Sequence, residues 1–365
     1  MQSTSSEVLL CLNSFGFTKS KISKLINIFG DLKNILTDLD AKRDLVVNVL
    51  SEGVFNNLKL CLTEDRIRDV QIELEKYNVK AVTIYDENFP KKLRNIPDAP
   101  FVIYYKGDIS LTESEHILGV VGTRKPSSYG RDIAEKFVFE VAREGVITVS
   151  GLAYGIDSVV ANETLKAKGK TIAVLGGGLA KIYPSTNQNL ADEIVKTGGL
   201  IISEYKPTDN PTQYTFPERN RLISGISDGV LIIEAGEKSG SLITAEHALN
   251  QGKDLFVVPG NLTSFQSKGS NRLIYEIPHC MVIEPKNILD SLGVSPKLDN
   301  ADSENIAVQL TMAQKLVYDL LKVEDMHFDD LAQKLNMSPR DLNVLLTDME
   351  MVGIIKSQSG NYYGV

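Results

Sequence analysis

Cysteine is scarce in this sequence of 365 residues. Its three cysteines, Cys11, Cys61 and Cys280, are far apart and odd in number, which argues against a disulfide framework and fits a reducing compartment. Long apolar runs are missing too, because none approaches the roughly 20 residues that a membrane-spanning helix needs. The short apolar run at 8–12 follows no basic segment, so we expect a cytoplasmic protein without a secretory leader.

Positive charge is also in short supply. The chain has 39 lysines and arginines against 47 acidic residues, a net charge of −8. This balance argues against a protein that coats nucleic acid by bulk charge. Any nucleic-acid site must then concentrate its positive charge in a few loops.

Signatures of catalysis are missing as well. The sequence has no G-x-x-x-x-G-K-[ST], and the glycines 176–178 are followed by Lys181 and Tyr183-Pro184 rather than by a dinucleotide fingerprint. The four histidines pair with no obvious nucleophile, and no Cys/His cluster has zinc spacing. We therefore predict no catalytic residue, no metal and no cofactor.

An alternation of strands and helices in the middle of the chain predicts a doubly wound, Rossmann-like α/β domain. Its apolar runs suit strands covered on both faces, and ligands of such folds bind at the carboxyl ends of the strands. The predicted strands are 117–121, 146–150, 171–175, 199–203, 230–234 and 254–258, and the predicted helices are 128–143, 156–168, 186–197 and 241–250. Residues 64–110 are predicted to form a small connector with a helix at 67–77 and strands at 79–84 and 101–105.

Helical modules are predicted on both sides of this domain. The helix at 19–29, with lysines 19, 21 and 24, is similar to a DNA-binding helix-hairpin-helix without its second glycine; a solvated helix face is the alternative. A C-terminal winged helix is predicted from helices near 311–322, 327–335 and 338–350 and two strands. Its net charge of −3 over 309–365 favours a contact with protein over binding in a DNA groove. The predicted domains are a helical domain at 1–63, an extended Rossmann-like domain at 64–292, a linker at 293–306 and a winged helix at 307–365.

Glycine- and serine-rich junctions end the predicted strands, where backbone amides and helix N-termini attract phosphate. Ser127 or Ser128 should cap the helix after the first junction, and Asp157 should be a helix-start carboxylate. Between the later junctions, Phe216-Pro217-Glu218-Arg219-Asn220-Arg221 offers phosphate-clamping arginines beside an aromatic, predicted to lie in a loop, that would stack on a single-stranded base. The candidate DNA- or phosphate-binding residues are Gly122, Thr123, Arg124, Ser150, Gly151, Phe216, Arg219, Asn220, Arg221, Ser239, Gly240, Ser241 and Lys268.

Six ordered motifs resemble the DprA/Smf family of DNA-processing proteins, most strongly over 85–275. They are Tyr85…Phe89-Pro90…Leu93, Val121-Gly122-Thr123-Arg124…Tyr129-Gly130, Ser150-Gly151-Leu152-Ala153-Tyr154-Gly155-Ile156-Asp157, Phe216-Pro217-Glu218-Arg219-Asn220-Arg221, Ser239-Gly240-Ser241…Thr244-Ala245 and Pro259-Gly260…Gly269-Ser270-Asn271. The resemblance implies a protein that binds single-stranded DNA, usually as a homodimer, and helps to load the RecA recombinase in natural transformation (competence), with no known catalytic reaction.

Two departures from the family pattern stand out. Val160-Ala161 occupy the place of its usual Ala-His, and Leu273-Ile274-Tyr275-Glu276-Ile277-Pro278 lack its usual Gly-Ala near the end of the Rossmann domain, where the family tends to dimerise.

Two other interpretations remain open. One is a nucleotide hydrolase resembling the lysine-decarboxylase-like (LOG) proteins, with Arg219 and Glu246 as its candidates, although the turn Lys238-Ser239-Gly240-Ser241 lacks the first glycines of their Pro-Gly-Gly-x-Gly-Thr motif. The other is a winged-helix transcription regulator with a sensory Rossmann domain, against which the acidic second helix of the winged helix argues.

Overall fold

A computed structural model describes residues 4–294, 311–351, 354–358 and 360–364. The chain forms two compact units, Met1–Pro296 and Lys297–Val365. Most of the predicted linker, residues 295–306, lies outside the described residues. The domain boundary predicted at residue 63 falls within the first unit and stays a prediction.

Short helices open the first unit, as predicted. A capping box at Thr4 and Glu7 begins the first of them. The second runs over Lys19–Phe29 and ends at Gly30, whose φ of 73° suits glycine. These helices are α1 (Ser5–Ser14), α2 (Lys19–Phe29), α3 (Ile35–Asp38), α4 (Arg43–Val49), α5 (Glu52–Cys61) and α6 (Glu64–Lys76), with a 3-10 turn at Leu32–Asn34.

The N-terminal helices pack directly on the sheet of the first unit. Leu12 and Leu25 share one hydrophobic cluster with Tyr104 and Ile201 of the sheet, and the Tyr104 hydroxyl donates to Asn13 Oδ1 at 2.7 Å. Lys19, which the sequence offers to a DNA phosphate, forms an ion pair with Asp98 instead. The helices therefore form part of the core of this unit.

The described residues of the first unit form a mixed sheet of eight strands, in the order β1-β2-β6-β5-β4-β3-β7-β8. All six predicted strands are present and run parallel, with Leu118 opposite Thr148 and Gly119 opposite Val230. The helix and the two strands predicted for the connector are present, and these strands extend the sheet antiparallel at one edge. The strands are β1 (Lys80–Thr83), β2 (Val102–Gly107), β3 (Ile117–Val121), β4 (Ile147–Ser150), β5 (Thr171–Val174), β6 (Leu200–Ser203), β7 (Gly229–Ile232) and β8 (Asp254–Val257).

Helices cover both faces of this sheet, and the four predicted between the strands are confirmed. The expectation that Phe216 lies in a loop is wrong, because a helix begins at Thr215. Proline is tolerated in a first helical turn, so Pro217 does not prevent this start. The helices are α7 (Lys91–Arg94), α8 (Ser128–Arg143), α9 (Ile156–Lys166), α10 (Gln188–Lys196), α11 (Thr215–Ile226), α12 (Ser241–Asn250), α13 (Lys268–Glu276) and α14 (Pro285–Ser291), with 3-10 turns at Ile109–Glu113, Ser185–Asn187 and Phe265–Ser267.

The second unit is a winged helix, as predicted. Its helices pack around Val317, Leu331 and Leu346, and Ser338 caps the last of them by accepting from the Asp341 amide at 3.2 Å. A short strand before the second helix completes an antiparallel sheet in the order β10-β11-β9. The elements are α15 (Met312–Leu321), β9 (Met326–His327), α16 (Phe328–Leu335), α17 (Pro339–Met351), β10 (Lys356–Gln358) and β11 (Tyr362–Gly364).

Each helix in the described parts of both units is too short or too polar to cross a lipid bilayer. Over the same residues, no three His, Cys, Asp or Glu side chains gather where they could hold one metal ion.

Candidate nucleic-acid interface

A cavity of about 770 Å³ opens at the carboxyl ends of the central parallel strands. Its walls are the turn after β3, the first turns of α11 and the turn before α12. Most of the sequence-predicted site residues meet here: Gly122, Thr123, Arg124, Phe216, Arg219, Asn220, Ser239, Gly240 and Ser241. Ser150, Gly151, Arg221 and Lys268 do not line it.

One wall of the cavity is aromatic and cationic. The exposed Arg124 guanidinium lies 5.0 Å from the centroid of the Phe216 ring, and the Tyr183 ring lies 5.7 Å from Phe216 at an angle of 40°. Phe265 also lines the cavity; Tyr183 is 51% and Phe265 64% exposed. Exposed aromatics beside an arginine provide the surface on which single-stranded bases stack.

The sequence did not single out Tyr183, Phe265 or Lys238 as members of this cavity. Tyr183 follows the 176–178 glycines, and Phe265 lies inside the motif that runs from Pro259-Gly260 to Gly269. The sequence signal for a binding role of these rings is an aromatic residue inside a glycine-rich motif. That signal does not show which cavity the ring faces.

The start of α12 presents hydrogen-bond donors to the cavity. Gly240 precedes the helix, and no side chain caps it. The Ser239 and Ser241 hydroxyls lie 2.7 Å apart, and the buried Thr244 Oγ1 has no partner among the described residues. The two hydroxyls hydrogen-bond to each other, and Ser239 Oγ also accepts from the Ser241 amide at 3.4 Å, so Thr244 Oγ1 is the polar side-chain atom of this turn left without a partner among the described residues. A helix N-terminus lined with hydroxyls suits an anionic ligand.

The start of α8 is already occupied by an anion of the protein itself. Ser127 caps this helix, as predicted, by accepting from the Gly130 amide at 3.0 Å. Its own amide and hydroxyl donate to the two carboxylate oxygens of Glu234, at 2.8 and 2.7 Å. The anion found at this helix end is therefore the Glu234 carboxylate, and Arg124 is left as the exposed cation of the junction that faces the cavity.

Two backbone amides of the turn after β4 are likewise bound by a carboxylate of the protein. Asp157 lies in the first turn of α9, as predicted, and accepts from the amides of Gly151 and Ala153 at 3.1 and 3.3 Å. Burial raises the pKa of the Asp157 carboxyl, and the Arg219 charge opposes that rise. Both Ser150 and Gly151 are buried and the Gly151 amide is engaged, and the phosphate-binding role expected of them stays a prediction.

Arg219 is buried in the floor of the cavity and only 4% exposed. Its Nη1 donates to the carbonyl oxygens of Gly151, at 2.8 Å, and of Val174. Desolvation lowers the pKa of Arg219 to about 10, so the side chain stays charged at neutral pH. A Cβ on Gly151 would lie 2.6 Å from Arg219 Cζ, which explains the glycine. These hydrogen bonds connect the ends of β4 and β5. The Arg219 side chain therefore has a structural role.

Arg221 does not line this cavity, and its predicted role as a phosphate clamp stays a prediction. Its Nη2 and Nε pair with Glu204 at 2.6 Å and Asp98 at 3.0 Å. These groups line a second cavity of about 830 Å³, where Glu218 adds another carboxylate. Burial raises the pKa of Glu204, and the Arg221 charge opposes the rise. Because two carboxylates already pair with the Arg221 guanidinium, a phosphate contact with this side chain is disfavoured.

The remaining candidates lie outside the cavity. Lys268 is exposed at the start of α13, and the next residue, Gly269, packs against the backbone of Gly236. Glu246 is exposed on α12 and does not line the cavity. The Arg219–Glu246 pair that a LOG-like hydrolase would use is therefore not assembled there.

Together these observations define a class of protein, a doubly wound α/β fold with an aromatic, cationic cavity at its strand ends and a winged helix. The model of the family described as DNA recombination-mediator protein A matches residues 80–293, and that of the DprA winged helix domain matches residues 301–361. The chain belongs to the DNA recombination-mediator protein A family.

Individual relatives agree with this assignment. The DNA processing protein DprA of Bacillus subtilis is 42% identical over 198 residues, which span 54% of this chain and 66% of that protein, just under two thirds. The X-ray structure of DprA from Streptococcus pneumoniae is 32% identical, with a TM-score of 0.61, over 80% of this chain and 98% of that one. A second solved structure is that of DNA processing protein A from Helicobacter pylori, a protein with a unique single-stranded DNA binding mode. It is 32% identical, with a TM-score of 0.54, and the match covers 60% of this chain and 97% of that one.

Proposed function

We propose that this protein binds single-stranded DNA in the cavity between β3, α11 and α12, and acts as a recombination mediator rather than as an enzyme. In this role it protects incoming strands in the cytoplasm and helps to load the RecA recombinase in natural transformation. The observation that carries the proposal is the Arg124–Phe216–Tyr183 wall, which lines the same cavity as the serines at the start of α12. The single-stranded DNA binding mode of the Helicobacter pylori protein supports it.

The two sides of the cavity suit the two parts of a nucleotide. The α12 side offers the Ser239 and Ser241 hydroxyls and a helix N-terminus to a phosphate. The opposite side offers ring faces to a base. A base can reach those rings only when it is unstacked from its neighbours, so the cavity favours a single strand over a duplex.

The Arg124 side chain is expected to contact a phosphate or a base edge. Arg124→Ala should weaken binding to an oligothymidine and make the slope of log affinity against log salt shallower by about 0.7. Fluorescence anisotropy across a salt series measures both quantities. Lys125→Ala is the matched control, since Lys125 is an exposed neighbour that does not line the cavity. An unchanged slope together with an unchanged affinity in Arg124→Ala would remove Arg124 from the interface.

The mediator role is tested with RecA itself. Single-stranded DNA coated with a single-strand-binding protein is mixed with RecA, and DNA-dependent ATP hydrolysis reports filament assembly. The wild-type protein should shorten the lag, while Arg124→Ala should shorten it less at equal concentration. A lag that wild type leaves unchanged, with DNA binding intact, would contradict the loading role and leave the DNA site standing.

We also propose a homodimer that forms around the end of the α/β domain. Tyr275 on α13 is 92% exposed, and Met281 and Ile283, which follow it, are also exposed. Exposed apolar side chains on one segment mark a contact surface, and a two-fold dimer would use the same residues from both copies. The sequence departs from the family pattern at 273–278, within this region.

A charge placed on this segment should dissociate the dimer. Tyr275→Glu combined with Ile283→Glu is expected to lower the mass seen in sedimentation equilibrium from two chains to one, because a carboxylate is costly to bury. Leu60→Glu is the control, since Leu60 is comparably exposed on α5. A wild-type protein that sediments as a monomer at micromolar concentration would refute the dimer.

A further inference from the structure

The junction after β3 is where doubly wound folds commonly receive a ligand phosphate. In this protein it leads into α8, a helix of 16 residues whose N-cap is Ser127. A helix of that length has a strong positive end. Its first amides would therefore be expected to bind phosphate, and the turn before it carries Thr123 and Arg124.

The Glu234 carboxylate fills this position. Glu234 follows β7, the strand beside β3, and is 2% exposed. Its Oε2 accepts from the Ser127 amide at 2.8 Å, and its Oε1 accepts from the Ser127 hydroxyl at 2.7 Å. Its backbone carbonyl accepts from the Thr123 amide at 2.8 Å. One residue thus binds both the turn and the helix end.

The carboxylate packs tightly against the first turn of α8. A Cβ on Gly130 would lie 2.8 Å from Glu234 Cδ, so the glycine lets the carboxylate sit against the first turn of α8. The Tyr129 hydroxyl donates to the Pro259 carbonyl at 2.7 Å and ties the same turn to the loop after β8. The carboxylate is therefore a built part of the helix start.

We propose that Glu234 is a specificity-determining residue, whose side chain occupies the position beside Ser127 and so closes the α8 helix end to phosphate groups. Free mono- and dinucleotides lose the subsite that this fold usually offers them. A nucleic-acid strand keeps the α12 side of the cavity, a point that rests on the proposed function. The closure of α8 depends only on the contacts of Glu234.

Removing the carboxylate should open an inorganic-phosphate site. In Glu234→Ala, the Ser127 amide and hydroxyl lose their acceptor and face a space that phosphate can enter. Its melting temperature should be lower than that of wild type in phosphate-free buffer. The melting temperature of Glu234→Ala should rise by about 5 °C when the phosphate concentration is about a hundredfold above the dissociation constant of the opened site. Sodium chloride at equal ionic strength is the salt control.

Glu234→Gln is the matched variant. Glutamine keeps the shape and still accepts from the Ser127 amide, so it leaves no space, and its phosphate response should equal that of wild type. Phosphate binding at the start of α12 is common to all three proteins and cancels in the comparison. A response in Glu234→Ala no larger than in the other two would overturn the proposal.

Two further measurements keep the test decisive. If Glu234→Ala is recovered unfolded, refolding in phosphate against chloride takes the place of melting: recovery in phosphate supports the closure, and equal failure in both salts overturns it. Single-stranded DNA binding is measured on the wild type alone. Its absence would contradict the proposed function without touching the phosphate result, so the two proposals fail separately.

Discussion

Arg219→Ala is expected to lower the free energy of unfolding of the first unit by about 3–5 kcal/mol, the cost of removing one charge from a buried, hydrogen-bonded set. The substitution deprives the Gly151 and Val174 carbonyls of their donor. It also removes the cation that opposes the raised pKa of the buried Asp157. Urea unfolding monitored by circular dichroism measures the change.

The control for Arg219 is Arg124→Ala. Arg124 lines the same cavity but is exposed, so its loss should cost about 1 kcal/mol or less in stability. The two variants should therefore differ in what they lose. Arg219→Ala should lose stability, and Arg124→Ala should lose DNA affinity with its fold intact. A wild-type unfolding midpoint for Arg219→Ala would show that the buried guanidinium is not a structural cation.

Phe216→Ala is expected to weaken single-stranded DNA binding by about 1–3 kcal/mol, roughly five- to 150-fold, the usual worth of one stacked base. The ring is partly buried, and a Cβ on Gly176 would lie 3.0 Å from its Cδ1. Alanine will therefore also cost some stability. Titration with an oligothymidine gives the affinity, and calorimetric unfolding gives the stability.

Phe216→Leu separates the two contributions of the ring. Leucine keeps apolar bulk against Gly176 but has no aromatic face for a base or for the Arg124 guanidinium. We expect near-wild-type unfolding and an affinity close to that of Phe216→Ala. Wild-type affinity in the leucine variant would mean that Phe216 is a packing residue and that Tyr183 or Phe265 provides the stacking surface.

The sequence predicted the elements whose signals are local. Continuous apolar runs marked every parallel strand, and capping residues such as Ser127 and Ser338 marked the helix starts that the structure shows. Helix α11 was missed because Pro217 and the polar residues before it look like a loop. Its buried face, with Leu222 and Ile226, comes only after them.

The partners of buried charges could not be read from the sequence. Glu234 and Ser127 are far apart along the chain, as are Arg219 and Gly151. Only the strand order brings each pair together. A glycine raises the same difficulty: Gly122 reads as a turn open to phosphate, yet a Cβ there would lie 2.6 Å from Ile156 Cγ1. In a sequence, a glycine that allows close packing cannot be told from a glycine that allows a ligand to approach.

The inward-turned arginines of α11 have a consequence for the rate at which a strand is captured. Arg219 and Arg221 are buried, so neither presents its charge at the surface to an approaching strand, and at a distance the strand meets the field of the net charge of −8. At low ionic strength this field repels a polyanion before it comes within reach of Arg124. The association rate constant should therefore rise as salt is first added and the Debye length shrinks toward about 10 Å. It should fall again only when screening weakens the contacts inside the cavity.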